Sequence, residues 1–116
     1  MGTAPSPQSS GEMEISVESG TGQKVVRCSG KITAASTELL IKTVRPLFQE
    51  SKSVVLDLSG VSYLDSSGLG AIMRLWATSK QAGSKLSLIN LSRRLKDLFT
   101  LTNLSTVFEN VEHSGM

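Results

Sequence analysis

The residues best equipped for chemistry stand in one short run, Asp65-Ser66-Ser67-Gly68-Leu69-Gly70. It offers a carboxylate, adjacent hydroxyls and two glycines where a strand and turn region meets the start of a helix. One reading is local: Asp and Ser are ordinary helix caps, because their oxygens accept from N–H groups that have no helical partner. The glycines weigh against stability alone, since Gly inside a helix costs about 0.8–1.0 kcal/mol relative to Ala. Removing their side chains lets another backbone or a ligand approach. The other reading is a regulatory phosphoacceptor. A phosphate at a helix N-terminus meets open N–H groups and the positive end of the dipole, so the fold can carry it. It brings roughly −1.5 to −2 charges to the surface and acts on whatever docks there.

Other chemistries lack their parts. No Gly stands two before Ser66 or Ser67, as a hydrolase elbow requires, and no S-x-x-K occurs. His113 is the only histidine and Cys28 the only cysteine, which excludes a Cys/His zinc site and an internal disulfide. Gly68-Leu69-Gly70 lacks the third glycine of a dinucleotide turn, and no P-loop pattern exists. The residues therefore lend these chemistries no support, and no metal or cofactor is expected. Arg93, Arg94 and Lys96 read as a solvated basic face, with a phosphate or acidic-partner contact as the second option. Tyr63 and Trp76 read as packing residues and Cys28 as a small core residue.

The elements that must position the Ser66 run follow from pattern. Met13, Ile15 and Val17 alternate with polar residues, and KVVRC from Lys24 returns after Gly20-Thr21-Gly22, an antiparallel hairpin. Thr33 or Ser36 caps a helix whose apolar face is Leu40, Val44, Leu47 and Phe48, with Pro46 late in it. SVVLDL from Ser53 to Leu58 is a buried central strand, ended by a turn at Ser59-Gly60. The second helix faces the core with Leu69, Ile72, Met73 and Trp76 and stops at Gly83. Leu86 and Leu88 mark a fourth strand. Ser92 caps a third helix faced by Leu95, Leu98 and Phe99 and closed by Asn103, and Val107 and Phe108 suggest a last strand. The order β-β-α-β-α-β-α-β implies an α/β fold, a mixed, mostly parallel sheet with helices packed on it.

With 116 residues, 39% hydrophobic and 19% charged, the chain makes one small domain. Residues 1–12, rich in Gly, Pro and Ser, are expected to be a disordered tail, 13–112 the domain, and 113–116 a frayed end. A net charge of +2 is too small for a general nucleic-acid binder. No apolar run approaches a membrane span, and no Lys or Arg precedes Lys24 as in a secretory signal, so a cytoplasmic protein is expected.

VVLDLSGVSYLDSSGLGAI, followed by AGSKLSLINLSRRLKDLFTLTNL, resembles the STAS-domain anti-sigma-factor antagonists of bacteria, from about Met13 to Phe108. The resemblance implies partner switching. The unphosphorylated antagonist docks on an anti-sigma factor that is also a serine kinase, and sigma factor is released. The kinase phosphorylates a serine of the antagonist, the complex parts, and a metal-dependent serine phosphatase resets it. Ser66 matches the acceptor, Ser67 its hydroxyl neighbour, and Asp65, Gly68 and Leu69 the docking loop. Where the family often carries an acidic G-[ED]-[IL]-D-like turn, this chain has Gly30-Lys31-Ile32-Thr33. Thr33 stands in place of a carboxylate, in a loop expected beside Ser66 and so in partner binding. The resemblance thus implies a cytoplasmic, non-enzymatic anti-anti-sigma factor, monomeric or weakly dimeric, without direct nucleic-acid or membrane contact. The alternatives are a STAS module of a membrane transport system and a small-nucleotide-binding protein.

Overall fold

The computed structural model describes residues 8–10 and 12–101. Strand β1 (Gln8–Ser10) is followed by β2 (Met13–Gly20) and β3 (Gln23–Ile32), then helices α1 (Thr37–Val44) and α2 (Leu47–Glu50). Strand β4 (Ser53–Leu64), helix α3 (Ser66–Ala82), β5 (Lys85–Ile89) and α4 (Arg93–Leu101) complete it. One five-stranded sheet runs in the order β1-β2-β3-β4-β5. The hairpin side is antiparallel, and β3–β4 and β4–β5 are parallel. Met13, Ile15, Val26, Cys28, Val54, Leu56, Leu86 and Leu88 alternate along their strands and share one core cluster with Leu40 and Val44 of α1 and Ala71, Ile72 and Leu75 of α3. The helices therefore cover one face, while Glu14, Arg27 and Lys85 on the other face stay exposed. Burial pushes the Cys28 thiol up to about 12, assisted by the Asp57 charge, so it behaves as an inert core residue.

The structure corrects several expectations of the elements. Gly30-Lys31-Ile32 is strand rather than turn, since β3 stays paired with β4 up to Ile32. The expected first helix is two helices, because Pro46 has no N–H to continue α1 and instead occupies the N-cap position of α2. Leu40, Val44, Leu47 and Phe48 are buried all the same. Ser59-Gly60 is not a turn, since β4 continues to Leu64. Register shifts in its pairing with β3 between Arg27 and Ser29 and between Gly30 and Lys31 absorb the irregularity. Gly60 lies so close to β3 that a Cβ there would stand 2.7 Å from the Ser29 Cβ. The buried face of α3 is Gly68, Ala71, Ile72, Leu75 and Ser79, while Leu69, Met73 and Trp76 are only partly buried beside it. Trp76 instead carries the Lys80 ammonium 5.1 Å from its ring centroid, a cation–π contact. Finally, Gln8–Ser10, within the expected tail, pair antiparallel with Met13–Ile15 as a polar edge strand.

Other expectations hold. Gly83 closes α3 with φ 74°, and its N–H donates to Lys80 and Ser79 carbonyls. Ser92 Oγ accepts from the Leu95 N–H at 3.2 Å at the start of α4. Asn103, the strand at Val107 and Phe108 and the frayed end at 113–116 lie outside the described residues.

Candidate functional site: the start of helix α3

The site begins with strand register. β3 and β4 are parallel neighbours, and their last paired residues are Ile32 and Leu64. Thr33 and Asp65 therefore leave the sheet side by side, at the end of parallel strands where α/β folds usually place their ligands. The Asp65 N–H donates to the Ile32 carbonyl at 3.2 Å, which ties the two exits together. Asp65 is the N-cap of α3, with φ −99° and ψ −175°. Its Oδ1 accepts from the Gly68 N–H at 2.9 Å, and its carbonyl accepts from the Leu69 N–H at 2.9 Å. Both readings of the Asp65 run are thus compatible, since the cap holds the loop in which the serines stand.

Gly68 brings helix and sheet into contact. It is buried, and a Cβ at this position would lie 2.4 Å from the Ile32 carbonyl oxygen and 2.7 Å from Leu64 Cδ1. Gly68, expected in the docking loop, is covered by β3 and β4. Gly70 differs, with nothing within 4 Å of a Cβ built there, on the exposed side of α3. Ser66 and Ser67 are both exposed and Leu69 is half-buried. The N–H groups of Ser66 and Ser67 open the helix and have no intrahelical acceptor. A hydroxyl on Ser66 is consequently within reach of a second protein, in the positive field of a helix terminus.

Thr33 is half-buried in the neighbouring loop. Its Oγ1 accepts from the Ala35 N–H at 3.3 Å, and its own N–H donates to Ser36 Oγ at 2.9 Å. Ser36 stands at the N-cap position of α1 without making a cap bond; its hydroxyl is turned back toward the Lys31 and Thr33 carbonyls. The pair shapes the loop rather than the helix. Lys31, just before it, is exposed and pairs through Nζ with Glu12 Oε1 at 3.1 Å.

A family model described as the STAS domain matches residues 13–114. The chain belongs to the STAS domain family. Its match to the anti-sigma-B factor antagonist of Bacillus subtilis (strain 168) is 31% identical over 97 residues, covering 84% of this chain and 89% of that protein. The Listeria monocytogenes anti-sigma-B factor antagonist is 40% identical over 82 residues, covering 67% of this chain and 72% of the relative. A crystal structure of an anti-sigma factor antagonist from Mycobacterium paratuberculosis superposes with a TM-score of 0.76 at 23% identity, over 89% of this chain and 87% of that one. It shares the fold of this STAS domain.

Two features of the domain were missed from sequence. Asp57 of β4 is buried, yet it accepts from the Ser59 N–H at 3.0 Å and from Asn90 Nδ2 at 3.2 Å through Oδ1, and its Oδ2 lies 3.6 Å from Arg27 Nε. Arg27 in turn pairs with Glu18. Burial pulls the Asp57 carboxyl upward, but the bonds from Ser59 and Asn90, with the Arg27 charge, outweigh it and hold it below the ordinary value. Asn90 meanwhile adopts φ 59°, the left-handed conformation that Asn tolerates, so the carboxylate steadies the β5–α4 connection. The single charge inside the SVVLDL run was the available signal. The second feature is Tyr63, expected in packing but 45% exposed beside Lys31, Thr33 and Arg94. Among the described residues no helix is long and apolar enough to cross a membrane, and no group of three or more His, Cys, Asp and Glu could hold a metal.

Proposed function

We propose that this STAS domain is an anti-sigma-factor antagonist, a regulatory binding protein that docks on an anti-sigma factor and so releases sigma factor. Two things support the reading: the likeness to the curated antagonists, and an exposed Ser66 hydroxyl at the start of α3 on a loop held by the Asp65 cap and the Gly68 contact. The placement of Ser66 is the observation that carries the switch. In this reading the partner is also a serine kinase. It brings its own ATP, and the γ-phosphoryl group passes to Ser66 Oγ. The new O–P bond forms as the bond to ADP breaks, and the hydroxyl proton goes to a base of the kinase. This chain supplies a positioned hydroxyl and no catalytic group.

Phosphorylation leaves the domain folded and alters its surface. The phosphate gains from the N–H groups and dipole at the start of α3. Trapped against a partner without a cation to meet it, the same charge costs several kcal/mol, and the complex parts. A metal-dependent serine phosphatase then restores the hydroxyl. Ser67, Leu69 and the Thr33 loop border the acceptor and complete the contact surface, while Asp65 and Gly68 hold the loop. Incubation with ATP and each purified serine kinase of the same genome, followed by phosphopeptide mass spectrometry, tests the reading. One phosphate on Ser66, with loss of the complex, is expected. Phosphate on Ser67 alone, or none in this loop, overturns it.

A further inference from the structure

Tyr63 is the one exposed large hydrophobic side chain among the described residues. It stands between adjoining grooves at the same end of the sheet as the Ser66 loop. One groove, about 640 Å³, is lined by Lys31, Glu12 and Thr33 as well as Tyr63 and Arg94. The other, about 560 Å³, has an apolar floor of Leu64, Leu95 and Leu98 and is edged by Arg93, Arg94 and Asp97. Tyr63 and Arg94 line both.

Lys31 is paired with Glu12, but among the described residues no ion pair reaches Arg93 or Arg94, although Asp97 is on the same helix. Both arginines occupy the first turn of α4, which holds no acidic residue. Cations at the positive end of a helix dipole are unfavourable. The local interactions would choose Asp or Glu there, so the arginines run against them. Guanidinium groups beside an exposed tyrosine, in a concave surface with a leucine floor, make the kind of anchor that binding interfaces concentrate. An arginine fork takes a carboxylate through two parallel hydrogen bonds.

We propose that this double groove seats an acidic segment of the protein partner that docks at the Ser66 loop. Tyr63 and the leucine floor take its apolar side chain, and Arg94 takes its carboxylates. The proposal rests on the docking reading above and names the charge of the surface that docks. Glu12 offsets Lys31 in the first groove, so the positive character of the rim comes from Arg93 and Arg94. The double groove also couples to the switch: β4 delivers Tyr63 three residues before Ser66, so a phosphate on Ser66 repels a bound acidic segment as well as losing its own place.

The test uses the full chain, labelled with ¹⁵N, and two synthetic peptides, one alternating glutamate with leucine and one alternating lysine with leucine. The acidic peptide is expected to shift the signals of Tyr63 and the Arg94 Nε–H, with binding that weakens as salt is raised; the basic peptide is not. Arg94→Glu is expected to weaken the acidic peptide and the anti-sigma kinase about tenfold or more, while its melting midpoint stays level or rises because Glu suits the first turn of a helix. Tyr63→Ser provides a second, charge-neutral variant with the same expected loss. A kinase that binds Arg94→Glu and Tyr63→Ser as tightly as wild type overturns the groove and leaves the docking reading standing. Acidic-peptide binding that depends on Arg94, with no kinase bound by the wild type, overturns the docking reading instead. Contacts from Tyr63 to residues 102–116 in the protein alone, or self-association lost in Arg94→Glu, would give the groove to this chain and overturn the proposal.

Discussion

Gly68 and Gly70 are two residues apart on one helix, and the structure assigns them opposite responses to the same substitution. A Cβ at position 68 would meet the Ile32 carbonyl oxygen at 2.4 Å, Leu64 Cδ1 at 2.7 Å and Ile32 Cγ2 at 2.9 Å. Non-bonded heavy atoms prefer roughly 3.5–4.0 Å. The Leu64 methyl can rotate away, but the carbonyl belongs to the end of β3, so α3 must lift from the sheet. Overpacking costs about 1–3 kcal/mol, and an obstacle in the backbone, which cannot rotate away, puts this case at about 2–3. The better helix propensity of Ala offsets at most about 1 kcal/mol of that. Gly68→Ala is therefore expected to lower unfolding free energy by about 1–2 kcal/mol, a large share of the usual 5–15 kcal/mol. At position 70 nothing stands within 4 Å, so Gly70→Ala is expected to add up to about 1 kcal/mol. Urea titrations of both variants, read by tryptophan fluorescence and circular dichroism, give the two differences. Equal or greater stability of Gly68→Ala would refute the close packing of α3 on β3 that positions the Ser66 loop.

Three further outcomes follow from the packing and charges. Asp57 is held below its ordinary pKa, so its contribution is present above the unfolded value of about 3.9 and is lost as pH falls through the lower folded value; Asp57→Asn is expected to flatten the acid limb of urea midpoints measured from neutral pH downward, and an unchanged limb would contradict the network. Trp76 is only partly buried, so Trp76→Ala is expected to cost about 1–3 kcal/mol in a denaturant melt, below the 3–5 of a full core deletion, and a loss at the core value would place the side chain inside. Thr33→Asp keeps an oxygen acceptor in its loop, so its melting midpoint should stay near wild type while the rate of Ser66 phosphorylation changes; unchanged rates would show the loop to be silent toward the kinase.

Much of the fold was legible because period and punctuation agreed. The alternation of Met13, Ile15 and Val17, the Gly22 turn and the Gly83 stop each carry a local physical cause, and the structure keeps all three. Ser59-Gly60 misled because Gly marks both a turn and a close strand approach, and only the pairing with Ser29 decides between them. Pro46 announced an interruption, though not that the chain would restart at once as α2. On α3 the apolar periodicity admitted two adjacent faces, and the narrow contact of Gly68 with Ile32 selected the one that leaves Trp76 at the edge. The site was read from the Asp65-Ser66-Ser67-Gly68 run, whose caps and glycines are local. Asp57 with Asn90, and Tyr63 with Arg94, join residues far apart in the chain, so no local pattern announces them.

In the proposed function the Ser66 hydroxyl is the switch and Asp65 its structural support. This assignment is tested most directly by following release from a preformed complex of the chain with its anti-sigma kinase after ATP is added. Wild type should dissociate as phosphate appears on Ser66. The Ser66→Ala complex should form with similar affinity and persist through the same ATP addition. Release of Ser66→Ala at the wild-type rate would contradict the account.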